Sequence, residues 1–367
     1  MSAVYLYLAL FASEATFPLN NVTVTASLAV LSLGLGLSLA WHGLRAWGGD
    51  AGAPFNPPRS GLLLLSFTAA VAAGQAVLSF DSAPRLLFPP FHVLAGALPA
   101  MIILALVGRR LGKAARQRDI IGQMACGILI GGPGAIVLVG LAGLLLVFSL
   151  SILVALRPGG LETLQTLTYD LQNPIWWENP DNLMTLIFTP AGISAVLLLT
   201  AVIGPLVEEM LKPVGVLLVP RRPGRAEAFL WGLAGACGFA LTEGMLNSAI
   251  DLNSWVTVVL MRVGTSITHC LTGGLMGLGW YSLRTARRPW RAIGLYLLAV
   301  TLHGLWNFIT LGIGGLAFGA AMISEAMANL GIVLLLGALL ALLAFCIAAL
   351  IGLVRWLQNS ELELTRP

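Results

Sequence analysis

The sequence is dominated by apolar runs of about twenty residues, separated by short polar loops. A helix of that length spans the roughly 30 Å hydrocarbon core of a bilayer. Only 10% of the residues are charged, whereas soluble domains carry roughly 25%. Because lipid offers the backbone no hydrogen-bond partners, we predict an all-α, polytopic membrane helix bundle of about nine transmembrane helices. The predicted segments are residues 22–41, 60–80, 89–108, 127–156, 185–219, 228–247, 255–283, 292–311 and 330–354.

The basic residues predict the orientation of these segments. If the segments alternate in direction, sixteen of the twenty Lys and Arg residues fall on one side, while Arg85 and Arg157 fall on the other. The positive-inside rule makes the basic side cytoplasmic, so the N-terminus is expected outside and the C-terminus in the cytoplasm. The sixteen are Arg45, Arg59, Arg109, Arg110, Lys113, Arg116, Arg118, Arg221, Arg222, Arg225, Arg284, Arg287, Arg288, Arg291, Arg355 and Arg366.

Four predicted helices carry ionisable residues at membrane depth, where each such group costs at least about 2.5 kcal/mol and needs a partner or a function. At about 1.5 Å per residue, Glu208 and Glu209 lie roughly 18–20 Å from the cytoplasmic side, and Glu243 roughly 24 Å. His269 and His303 lie at roughly 18–23 Å. Because separate helices reach one level, we predict that these side chains meet in a single polar site.

The spacing within the stretch GPLVEEMLKP predicts local contacts. Glu208 and Lys212 are four residues apart, so they share a helix face and can form an ion pair. Glu209 points about 100° away and is expected to face another partner. Pro205 and Pro213 bracket these charges and can interrupt the helix, which a membrane tolerates where the backbone lines a polar cavity.

Polar pairs on other helices have the same spacing. Glu243 and Asn247 are four residues apart, as are His303 and Asn307, so each pair is expected to share a face. Several glycines surround His269; they permit close helix packing or the approach of a substrate backbone.

Each of these features also has a purely structural explanation. A Glu–Lys pair can simply hold a membrane helix in place, and a histidine in a membrane helix is often a hydrogen-bonded packing residue. His92 is expected to be such a residue. Arg262 is expected to pair with a glutamate or with the backbone near the outer rim.

Four short stretches together resemble the PrsW family of intramembrane proteases. They are EEMLK (208–212), FALTE (239–243, with Phe239), HCLTG (from His269) and HGLWN (303–307). They match the E-E-x-x-K, F-x-x-x-E and two histidine motifs in the family's order, on four successive helices, and the likeness covers about residues 190–310. That family is similar to the CAAX-type prenyl-protein endopeptidases, which have histidine where this chain has Glu243, and distantly to a catalytically silent scaffold subunit of gamma-secretase.

The resemblance implies an intramembrane endopeptidase, and two arrangements of the residues fit peptide hydrolysis. In one, Glu243, His269 and His303 hold Zn²⁺ with an open position for water. In the other, glutamates and His269 activate water without metal, and His303 and Asn307 form an oxyanion hole. The carboxylate of Glu243 favours the metal version, whereas the prenyl-protein relatives favour the metal-free one.

A glutamate serves as general base in either arrangement. A carboxylate buried among apolar groups has a raised pKa, which suits it to proton transfer. Lys212 would keep its partner ionised, so we predict Glu209 as the base and Glu208 as the ion-paired partner, with the exchange of roles left open. Glu208, Glu209, Glu243, His269, His303 and Asn307 are the predicted catalytic residues, supported by Lys212 and Phe239.

Three consecutive regions follow from this reading. Residues 1–184 contain N-terminal transmembrane helices of unassigned role and an outer loop, 185–311 form a four-helix catalytic core, and 312–367 form the last transmembrane helix and a short cytoplasmic tail. Met1–Ser13 lacks the basic start of a cleavable signal peptide, and whether residues 1–17 cross the membrane stays open.

The expected partners are the lipid bilayer and a membrane-protein substrate. The resemblance implies a regulatory target such as an anti-sigma factor and a bacterial or archaeal cell (inner) membrane. No basic aromatic patch points to nucleic acid, and the oligomeric state is not predicted. A proton- or ion-coupled transporter also uses buried Glu and His, and a non-catalytic scaffold or immunity-type protein could keep these residues to bind a partner; both remain alternatives, as does prenyl-protein processing.

Overall fold

The computed structural model describes residues 18–80, 86–318 and 324–364. The predictions made for residues 1–17, Arg85 and Arg366 therefore concern positions outside the described residues. Within these ranges the chain is α-helical and forms no strand; one isolated antiparallel bridge joins Pro54 and Arg116. The predicted polytopic helical architecture is confirmed.

The helices follow the predicted segments closely. Two are interrupted by π-helical turns, Gly127–Gly131 and Leu198–Ile203. The helices are α1 (Leu19–Trp47), α2 (Ser60–Leu78), α3 (Phe88–Leu111), α4 (Gln117–Cys126), α5 (Gly132–Ala155), α6 (Gly160–Gln172), α7 (Pro174–Glu178), α8 (Pro180–Ile187), α9 (Pro190–Leu197), α10 (Gly204–Leu211), α11 (Gly215–Leu218), α12 (Arg225–Asn247), α13 (Trp255–Arg284), α14 (Pro289–Phe318) and α15 (Glu325–Leu364).

Eight helical stretches of the described chain are long and apolar enough to cross a membrane. They contain α1, α2, α3, α4–α5, α9–α11, α12, α14 and α15. The seventh predicted segment, 255–283, forms the 30-residue helix α13 but is not among the eight. Its sequence includes Arg262, His269 and many small residues, and most of these are buried against protein rather than available to lipid.

The chain divides into two compact units whose sequences interleave. Unit 1 contains residues 1–133, 209–302 and 342–367, and unit 2 contains residues 134–208 and 303–341. The boundaries fall within helices. The linear division at residues 184 and 311 stays a prediction.

Helix α12 is the central element of unit 1. Nearly all of its residues are buried, including Phe229, Trp231 and Leu233, as expected for a helix surrounded by others. It packs against α13 through glycines that bring the two backbones together: a Cβ on Gly232 would lie 2.2 Å from the carbonyl oxygen of Gly273. The close approach predicted from the glycines near His269 is therefore present.

The basic ends of several helices in unit 1 contact one another. Arg221 pairs with Asp119 at 2.6 Å and also with Glu227. Arg284 donates to the carbonyl oxygens of Val216 and Val219 at 2.6 and 3.0 Å. These contacts join the ends of α4, α11, α12 and α13, and the orientation inferred from the basic residues stays a prediction.

Unit 2 contains nearly all of α5, the predicted outer loop, which is helical, the second half of α14 and the first part of α15. Asn173 and Asn179 cap α7 and α8 by accepting backbone N–H groups at 3.1 and 3.0 Å. Trp176 and Trp177 stack edge to face with ring centroids 5.0 Å apart, and tryptophan is a residue typical of membrane interfaces.

Candidate active site

The turn after α10 places a buried ion pair inside unit 1. Proline disfavours the α conformation in the residue before it, and α10 ends at Leu211, so Lys212 leaves the helix before Pro213. The Nζ atom of Lys212 lies 2.7 Å from Oε1 of Glu209, and both side chains are fully buried. An isolated buried charge would be very unfavourable, so each of these groups requires the other.

A glycine on α12 allows this turn to approach the core. A Cβ on Gly235 would lie 2.5 Å from the carbonyl oxygen of Lys212 and 3.4 Å from the Cα of Pro213. Only a residue without a side chain fits such a close approach. Gly235 therefore sets the distance between α12 and the segment that carries Lys212.

His269 on α13 binds a charged group through each ring nitrogen. Its Nε2 lies 2.7 Å from the carboxylate of Glu243, and its Nδ1 lies 2.9 Å from Nζ of Lys212. An ionised carboxylate can only accept a hydrogen bond, so Nε2 of His269 donates and Nδ1 directs its lone pair toward the ammonium group. The contacts select a single neutral tautomer.

Aromatic and charged neighbours hold this arrangement in place. The ring of Phe239 meets His269 edge to face at 5.5 Å and lies 4.6 Å from Nζ of Lys212. Arg262 pairs with Glu243 at 2.6 Å, and Asn247 donates to Glu243 at 3.2 Å. The Lys212 cluster, as we name it, consists of Glu209, Lys212, Phe239, Glu243, Arg262 and His269.

The predicted ion pair within α10 was assigned to the wrong glutamate. Lys212 forms its 2.7 Å pair with Glu209, whereas the spacing had favoured Glu208. Residues three apart also share a helix face, and Lys212 lies beyond the end of the helix, where ideal helical angles no longer apply. Arg262, expected to pair with a glutamate or backbone, has Glu243 as its partner.

Unit 2 contains a second group of predicted residues, the His303 cluster, which consists of Glu208, His303, Asn307 and Thr200. Nε2 of His303 lies 3.7 Å from Glu208 and 3.2 Å from Nδ2 of Asn307. Nδ2 of Asn307 also donates to the carbonyl oxygen of Thr200 at 2.9 Å. Thr200 belongs to the π-helical turn before α10, where regular backbone bonding is interrupted, so Asn307 ties α14 to this irregular turn.

Arg262 was predicted to form an ion pair or a backbone contact but was not counted among the site residues, and Thr200 was not predicted to take part. An arginine at membrane depth always signals a partner, and the Arg262–Glu243 contact shows that it belongs with the site. Nothing in the sequence marks Thr200, because its contribution is a carbonyl oxygen exposed by a local widening of the helix.

His92 fulfils the structural role predicted for it. It is fully buried, its Nε2 lies 2.8 Å from the carbonyl oxygen of Met245, and Trp255 donates to its Nδ1 at 3.0 Å. Both ring nitrogens are engaged by packing partners, and the residue joins α3 to α12 and α13.

Protein encloses two carboxylates of the candidate site only in part. The side chains of Glu243 and Glu208 are 29% and 19% exposed, whereas Glu209 and His269 are completely buried. Each cluster therefore contains one carboxylate that the protein does not fully cover.

Comparison with known proteins gave one family. The model of the PrsW family intramembrane metalloproteases matches residues 121–338, more than half of the chain. The match extends beyond the region that carries the four motifs, into α4 and α15. The curated proteins and the solved structures gave no match.

Proposed function

We propose, from the premise that this chain belongs to the PrsW family of intramembrane metalloproteases, that the Lys212 and His303 clusters together perform its proteolysis. The chain is an integral membrane protein and an intramembrane endopeptidase. Family membership favours this activity over the transporter and scaffold alternatives.

The observation that carries the proposal is the position of the Lys212 ammonium group. It lies within 2.9 Å of both a carboxylate oxygen of Glu209 and the lone pair of Nδ1 of His269. A positive charge held between a carboxylate and an imidazole is a stand-in for a metal ion. The donor types, buried Glu and His, are those of catalytic zinc sites.

We infer that Glu209 and His269 hold the metal, with Glu243 orienting His269, and His303 stays a ligand predicted from the sequence. The sequence analysis placed Glu243 among the ligands. Its carboxylate, however, accepts from Nε2 of His269 and pairs with Arg262. A metal-bound histidine commonly donates its other nitrogen to a carboxylate, which fixes its tautomer and orientation. A bound Zn²⁺ would polarise the scissile carbonyl and acidify water.

Glu208 is then the favoured general base. The base is expected to be the glutamate that does not pair with Lys212, and Lys212 is paired with Glu209. Glu208 retains partial exposure and lies beside His303, so it can accept a proton from water and pass it to the leaving amine. The assignment of base and partner is thus the reverse of the one predicted from spacing.

The metal-free arrangement receives less support. It needs Asn307 to donate to an oxyanion, but Nδ2 of Asn307 already contacts Thr200 and His303. We therefore regard Asn307 as the residue that positions His303. The finer proposals are a single-pass substrate such as an anti-sigma factor and a bacterial or archaeal inner membrane, both of which rest on the family resemblance.

The test uses purified full-length protein reconstituted with single-pass substrates, including an anti-sigma factor. Glu208→Gln, Glu209→Gln and His303→Ala are each expected to lower kcat/KM by about 10²–10⁴-fold. Glu162→Gln is the matched control, because Glu162 lies on the outer-loop helix α6. Removal of metal should abolish cleavage, and Zn²⁺ should restore it.

Three results separate the parts of the proposal. Undiminished cleavage in all three variants would exclude these clusters as the active site. Full activity after rigorous metal removal would reject only the metal site. Cleavage of unrelated single-pass proteins but not of an anti-sigma factor would reject only the substrate class.

A further inference from the structure

An apolar groove in unit 1 lies between α2, α3, α13 and α15, away from the Lys212 cluster. Its volume is about 610 Å³, within the range of roughly 300–1,000 Å³ that is usual for small-molecule sites. We name it the basic-end groove; the residues that define it for the argument are Leu64, Pro99, Leu106, Arg110, Ile351 and Arg355.

The groove opens sideways, toward lipid. Leu64, Leu106 and Ile351 line it and are exposed, although they belong to helices that cross the membrane. A sealed packing defect would have buried walls. The occupant can therefore enter directly from the bilayer.

The length of the groove matches one leaflet. Along α3 it extends from Pro99 to Arg110, and along α15 from Ile347 to Gln358. Each stretch covers eleven residue steps, or about 16 Å. Half of the hydrocarbon core is about 15 Å, so the groove accommodates an acyl chain of one leaflet, whereas a substrate helix would traverse both.

Two arginines lie at the basic end of the groove. Arg110 ends α3, and Arg355 lies near the end of α15. The side chain of Gln358 donates to the carbonyl oxygen of Arg110 at 3.3 Å, which joins these two helix ends. Among the side chains that the structure describes, no carboxylate pairs with either arginine. Their charge is complementary to a phosphate.

We propose that the basic-end groove binds an anionic glycerophospholipid from the leaflet on the basic side, with its phosphate at Arg110 and Arg355 and an acyl chain along the apolar wall. Basic pockets between helix ends on the cytoplasmic side suit such lipids. Ile267 lines the groove two residues before His269 on α13, so the bound lipid supports the outer face of the helix that carries the active-site histidine.

The experiment measures lipid binding to delipidated, purified full-length protein by native mass spectrometry. Phosphatidylglycerol and phosphatidylcholine with identical acyl chains are compared. Wild type is expected to retain phosphatidylglycerol preferentially. Arg110→Gln with Arg355→Gln should weaken its binding by about fivefold per arginine, equivalent to roughly 1 kcal/mol each.

Matched controls separate this site from general surface charge. Arg109→Gln with Arg288→Gln removes the same charge from the basic side without altering the groove lining, and is expected to leave binding unchanged. Leu106→Trp fills the groove and should reduce phosphatidylglycerol binding without changing charge. Leu94→Trp alters an exposed leucine elsewhere on α3 and should have no effect.

Four outcomes would overturn the proposal. They are equal retention of both lipids, equal loss in the two arginine double variants, competition by millimolar inorganic phosphate, and displacement of the lipid by a single-pass substrate helix. The last would assign the groove to the substrate. Circular dichroism and melting of each variant show that its fold is retained.

Discussion

The substitution Gly235→Ala tests whether the packing of α12 controls the position of Lys212. Gly235 lies in the middle of α12, on the face that meets the segment after α10. Adding one methyl group introduces no charge and does not touch a catalytic side chain. Any effect on cleavage must therefore pass through the backbone of Lys212.

The size of the effect follows from the geometry. The new Cβ would lie 2.5 Å from the carbonyl oxygen of Lys212, and ordinary contact begins at 3.4 Å. The Lys212 segment must therefore move by about 0.9 Å relative to α12. A misplacement of about 1 Å can lower a rate about 10²-fold, and overpacking destabilises a core by about 1–3 kcal/mol. We expect kcat/KM to fall by about 10²-fold, with folded protein retained.

The assay is cleavage of a reconstituted single-pass substrate, with thermal unfolding of the same preparations. Gly294→Ala is the control, since a Cβ there meets nothing within 4 Å; it should keep wild-type kcat/KM. Wild-type kcat/KM and stability in Gly235→Ala would refute the reasoning. A parallel fall of activity and folded fraction would show only that the variant unfolds.

Three further substitutions test individual contacts. Lys212→Met removes the cation that competes with a metal ion for Glu209. We therefore expect Zn²⁺ to bind about tenfold more tightly, as measured by competition with a chelator. Unchanged or weaker binding would contradict the proposal that the Lys212 ammonium group occupies the position of a metal ion. Asn307→Leu removes the contacts of Asn307 with His303 and with the carbonyl oxygen of Thr200. We expect kcat to fall more than 10-fold in this variant and to recover in part in Asn307→Gln. A change in KM alone would argue against a role of Asn307 in positioning His303. His92→Phe leaves the buried carbonyl oxygen of Met245 and the indole N–H of Trp255 without their hydrogen bonds. Thermal unfolding should therefore show about 2–4 kcal/mol of destabilisation, with kcat unchanged in the folded fraction. A selective loss of kcat would instead show that His92 takes part in the reaction.

Much of the site was predictable because the membrane makes charge expensive. A carboxylate or imidazole at bilayer depth signals a partner or a function, so Glu208, Glu209, Glu243, His269 and His303 could be selected by depth alone. Pairs four apart on regular helices were also predictable: Asn307 does contact His303, and Asn247 does contact Glu243.

Predictions failed where the helix is irregular. Helical spacing assigned Lys212 to Glu208, but α10 ends at Leu211 and the pair forms with Glu209. The contact of Asn307 with Thr200 depends on a π-helical turn that no residue pattern announced. The hydropathy of α13 is low for a different reason. A helix that is enclosed by protein can contain polar and small residues.

By itself, the sequence determined the all-α membrane architecture, and it predicts the side that carries the arginines and the depth of the acidic and histidine side chains. These properties depend on composition and on the fixed rise of a helix. Only the tertiary structure decided which glutamate pairs with Lys212, which nitrogen of His269 faces a cation, and that an apolar groove ends at two arginines. The contacts of Lys212 and His269 depend on how closely the backbones approach at Gly232 and Gly235, and the groove depends on how α2, α3, α13 and α15 pack. Periodicity encodes neither.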